Sequence, residues 1–159
     1  INLSYQLAIR LPEKADEIVN EQLKRISNPD RQAEYRFISP SVSPRKEVRD
    51  SVFEALLVAD NRRIEPWAST ALSLLNHRLR EAESVEYIRP ALEILEEVQR
   101  TGDIFFPTAW LRALLGGHSS VQARDEVEAF YAEYPDFPEM LLNKIRQQAD
   151  HLYRLHAGE

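Results

Sequence analysis

The stretch from Glu139 to His156, EMLLNKIRQQADHLYRLH, decides the fold class. Leu141, Ile145, Ala149, Leu152 and His156 recur at steps of three or four, which gathers them on one face of an α-helix. A strand would scatter the same residues over both faces. Asp136, three residues before Glu139, matches the reciprocal capping pattern and predicts where this helix begins.

The same period runs upstream. Val127, Phe130, Tyr131 and Tyr134 form a stripe that Ser120 can cap and Pro135 stops. Pro107 to Leu115 reads as a short helix ended by Gly116-Gly117, where either glycine could take a left-handed cap. Val85, Ile88, Leu92, Leu95 and Val98 make a longer stripe closed by Gly102. Pro90 lies inside it, which predicts a kink or two short helices meeting at Arg89. Pro66 opens a helix through Leu75, and Val48, Val52, Ala55, Leu56 and Ala59 form another behind Ser43-Pro44, with Ser43 as cap and Pro44 in the first turn. Asn28-Pro29-Asp30 starts a helix through Arg36. Ala15, Ile18, Val19, Leu23 and Ile26 face one way on the helix before it.

Ile1, Leu3, Tyr5, Leu7, Ile9 and Leu11 alternate strictly with polar or small residues, the period of a half-buried strand. No second segment alternates, so a strand here would lack a ladder partner, and helix is the expectation. Residues 1–12 are read as a connecting segment to one helical domain spanning 1–159. Ile1 in place of Met suggests a segment of a longer chain. The expected fold is all-α, with antiparallel helix pairs in an irregular HEAT/armadillo-like array. Trp67 and Trp110, 43 residues apart, match the spacing of such units but share little surrounding sequence.

The composition, 43% hydrophobic and 29% charged with only four glycines, is that of a folded globular chain. A net charge of -6 opposes non-specific nucleic-acid binding, and no apolar run approaches the roughly 20 residues that span a bilayer. With no cysteine there is no disulfide, thiolate nucleophile or cysteine-based zinc site, and no compartment is assigned.

Chemistry is scarce. None of His77, His118, His151 and His156 is four residues from another; His151 and His156, five apart, differ by about 140° around a helix. All four are expected at surfaces or helix ends. No G-x-S-x-G elbow or phosphate loop occurs. Glu81, Glu83, Glu96 and Glu97, flanked by arginines, read as a solvated helix surface. No catalytic or metal-binding residue is assigned. Arginine outnumbers lysine sixteen to four, which favours fixed carboxylate pairs at partly buried sites or interfaces. In Asp103-Ile104-Phe105-Phe106-Pro107, three large apolar residues crowd a short connection and need cover from this domain or a neighbour.

Several of these segments carry a family likeness. Glu65-Pro66-Trp67, Tyr87-Ile88-Arg89-Pro90 with Leu92 to Glu97, and above all Gln99 to Pro107, followed by Trp110-Leu111 and Leu115-Gly116-Gly117-His118, resemble the C-terminal helical region of bacterial aminopeptidase N-like zinc metallopeptidases, the gluzincin aminopeptidases. The resemblance covers about residues 30 to 155. It implies that the zinc ion and its H-E-x-x-H motif belong to an upstream catalytic domain of the same polypeptide. This chain would then be a non-catalytic cover that shapes or restricts the peptide-binding chamber, with no cofactor of its own. Asp103, Phe105, Phe106, Trp110 and His118 become candidates for interdomain contact. The alternative reading is a free-standing α-solenoid that binds a protein or peptide.

Overall fold

A computed structural model describes residues 1–158, and the described residues contain helices and turns but no strand. The chain divides into two compact units, Ile1–Leu75 and Asn76–Glu159.

The first unit holds α1 (Asn2–Arg10), α2 (Ala15–Arg25), α3 (Pro29–Ile38), α4 (Lys46–Leu56) and α5 (Glu65–Leu75). Its hub is a short 3₁₀ turn, Ser39–Val42, which touches α1, α3, α4 and α5. Around it pack Tyr5, Ala8, Ile9, Ala15, Ile26, Tyr35, Ile38, Val42 and Leu74. The rings of Tyr5 and Tyr35 stack at 5.1 Å and 13°. Tyr35 Oη lies 2.9 Å from Ser4 Oγ, which itself donates to the Ile1 carbonyl, so the tyrosine hydroxyl is the donor to Ser4. Tyr5 Oη is equally buried and has no hydrogen-bond partner.

The amino-terminal segment is a helix, because a lone strand could not pair its amides. The alternating apolar set is split between two helix faces: Tyr5 and Ile9 are buried together with Ser4 and Ala8, while Leu3, Leu7 and Leu11 stand on the outer side. Asn28 caps α3 by accepting from the amides of Asp30 and Arg31. Ser43, expected to cap α4, instead accepts from the Arg45 amide in a tight turn, and the helix starts at Lys46, beyond Pro44. The arginine excess is partly spent inward. Arg49 and Arg62, each 3% exposed, donate to the carbonyls of Ser43 and Leu56 at 2.8 Å.

The second unit holds α6 (Glu81–Ser84), α7 (Ile88–Glu93), α8 (Leu95–Thr101), α9 (Phe106–Leu115), α10 (Val121–Glu133) and α11 (Glu139–Leu155). Helix α7 packs against both α9 and α10, and α11 against both α9 and α10. Thr108 meets Lys144 and Leu115 meets His151, so α9 and α11 run parallel. Helix α10 runs opposite to α11, because Glu128 meets Tyr153 and Arg124 meets His156. Leu92, Leu95, Trp110, Leu114, Val127, Phe130, Ile145 and Leu152 are fully buried.

Three local expectations are corrected here. Pro90 does not kink a helix, and the junction of two short helical pieces expected at Arg89 falls one residue earlier, where the 3₁₀ turn Val85–Tyr87 meets α7 at Ile88. The proline occupies the third position of α7, whose first-turn amides have no intrahelical acceptor to lose, and the breaks fall before Ile88 and at Ile94. Asp136 does not cap α11; Pro138 precedes the helix and Glu139 pairs with Arg146 instead. Neither Gly116 nor Gly117 is left-handed.

The two stacked tyrosines make opposite predictions. Tyr35→Phe removes a buried donor from Ser4 and should cost about 1 to 2 kcal/mol in denaturant unfolding. Tyr5→Phe removes a buried hydroxyl that has no partner and should leave stability unchanged or raise it by up to about 1 kcal/mol.

Candidate functional site

Helix α9 and the connections at its two ends carry all five residues expected at an interdomain contact. At the amino end, Asp103 Oδ1 accepts from the Phe105 amide at 2.9 Å and so fixes the turn into the helix. The two phenylalanines then part. Phe106 is 3% exposed and meets Trp110 edge-on at 6.1 Å, whereas Phe105 is 76% exposed and its neighbour Ile104 78%. Trp110 is fully buried, and its indole N–H donates to the Ala91 carbonyl at 3.1 Å. That carbonyl belongs to the last turn of α7, where no amide of the same helix can reach it. Of the candidates, Asp103 and Phe105 face outward, while Phe106, Trp110 and His118 lie inside the unit.

The carboxyl end of α9 is tied from several sides. Gly117 passes so close to the stretch before α6 that an added Cβ would stand 1.9 Å from the Asn76 carbonyl oxygen. Glycine is required here for close backbone approach, not for its dihedral freedom. His118, expected at a surface or a helix end, lies just past the end of α9 but is 1% exposed, and it bonds through Nε2 to Asn76 Oδ1 at 2.8 Å. An amide oxygen only accepts, so Nε2 carries the proton, and buried Nδ1 is left as a lone pair without a partner. His151 Nε2 donates to the carbonyls of Leu115 and His118 at 3.1 and 3.0 Å, and His156 Nε2 to that of Ser119 at 2.7 Å. Glu81 accepts from both the Ser119 amide, at 2.7 Å, and its hydroxyl, at 3.0 Å, so it is more than a solvated surface group. Ser120 then caps α10 as expected, accepting from the Ala123 amide.

This end of the helix is a structural knot whose imidazoles spend their Nε2 protons on backbone or amide oxygens. No group of three or more His, Asp or Glu side chains among the described residues is gathered as for a metal ion. Burial pushes the His118 imidazole down to about 4, with His151 acting in the same direction and the Glu81 carboxylate opposing. The knot was hidden in the sequence because Asn76 and His118 are 42 residues apart. The glycine pair was its only local signal.

Two measurements address it. The unfolded chain binds a proton at His118 near pH 6.5, and the folded one only near 4. Stability is therefore complete above about pH 6.5 and lost as the pH falls toward 4, by a total on the order of 3 kcal/mol. His118→Gln should flatten that part of a melting-temperature profile. Gly117→Ala should destabilise by about 2 to 4 kcal/mol, since backbone must move to admit the methyl. In comparisons with known proteins, no family model, curated protein or solved structure matches this chain.

Proposed function

We propose that this chain is the non-catalytic C-terminal helical domain of a zinc-dependent aminopeptidase. In this reading it packs as an irregular HEAT-like array against the catalytic domain and restricts access to the peptide-binding chamber. Zinc and the reacting groups belong to the upstream domain, and the present residues contribute shape.

One observation carries the reading. Ile104 and Phe105 are among the most exposed large apolar side chains of the chain, and they lie within the block that most resembles those enzymes. They are also held in place: the Asp103 cap on one side and buried Phe106 on the other fix the turn that presents them. An ordered aliphatic–aromatic pair turned to solvent is the chemistry of a contact surface. Trp110 and His118 support that surface from behind, one by closing α7 and the other by locking the far end of α9.

The two phenylalanines separate docking from core packing. In the full-length protein, Phe105→Ser should raise the rate of limited proteolysis at the domain junction several-fold. In this chain it should change stability by less than about 0.5 kcal/mol. Phe106→Ala should cost this chain about 3 to 5 kcal/mol. Equal losses from the two substitutions in this chain would place Phe105 in the core and remove the docking role. A parent reading frame without an upstream H-E-x-x-H would remove the aminopeptidase assignment.

A further inference from the structure

We draw no further inference here: the strongest candidate, the exposed face of α1 that Leu3, Leu7 and Leu11 form along the groove against α2, is an unpartnered apolar face, and nothing in the structure shows what covers it.

Discussion

No helix in the described chain exceeds seventeen residues, and the carboxyl end of every helix leaves main-chain carbonyls with no amide of its own helix to accept from. Where such an end is buried, a donor must come from elsewhere, because an unpaired carbonyl away from water costs as much as a lost hydrogen bond. The less usual side chains of this core answer that demand. The Trp110 indole closes α7, His151 closes α9, and the buried guanidinium of Arg62 reaches the Leu56 carbonyl at the end of α4. A longer-helixed protein of this size would have fewer ends and less use for buried donors. Arg62 among the arginines and His151 among the histidines are accounted for by this geometry.

The helices themselves were legible because their apolar period is set by packing over many residues. What the sequence misplaced were their ends, where one hydrogen bond decides the outcome. Asp136 and Glu139 have the spacing of a capping box, yet Arg146, seven residues further along, competes for Glu139 and holds it. Ser43 keeps its role as a hydrogen-bond acceptor but accepts from Arg45, the residue just before the helix. Pro90 follows the rule that proline stays out of a helix interior: it sits in the first turn of a short helix that begins one residue before the expected junction. At the amino terminus strict alternation is a poor guide, because helical packing buries Ser4 and Ala8 beside Tyr5 and Ile9 and turns Leu3, Leu7 and Leu11 outward.

The candidate site was less legible. Phe105 and Phe106 are chemically identical, and only the cap formed by Asp103 fixes which of them enters the core. His118 reads as a loop histidine until Asn76 comes up against it. Its neighbour Gly117 recorded that approach, in the form of a missing Cβ rather than a special dihedral. Long-range approaches of this kind leave a trace only where they exclude a side chain.

The hub of the first unit bears on the order in which that unit holds together. The Ser39–Val42 turn touches α3, α4 and α5, its near neighbours in sequence, and α1 from much further away. Contacts between near neighbours cost little loop entropy to form, whereas α1 must be brought back across α2 and α3. Helix α1 offsets that longer loop by placing Tyr5, Ala8 and Ile9 in the core, and it is the main support of α2, which buries only Ala15. The exposed leucines therefore ride on the helix through which α2 is joined to the rest of the unit. Whatever covers them would bear on that pairing as well as on a surface.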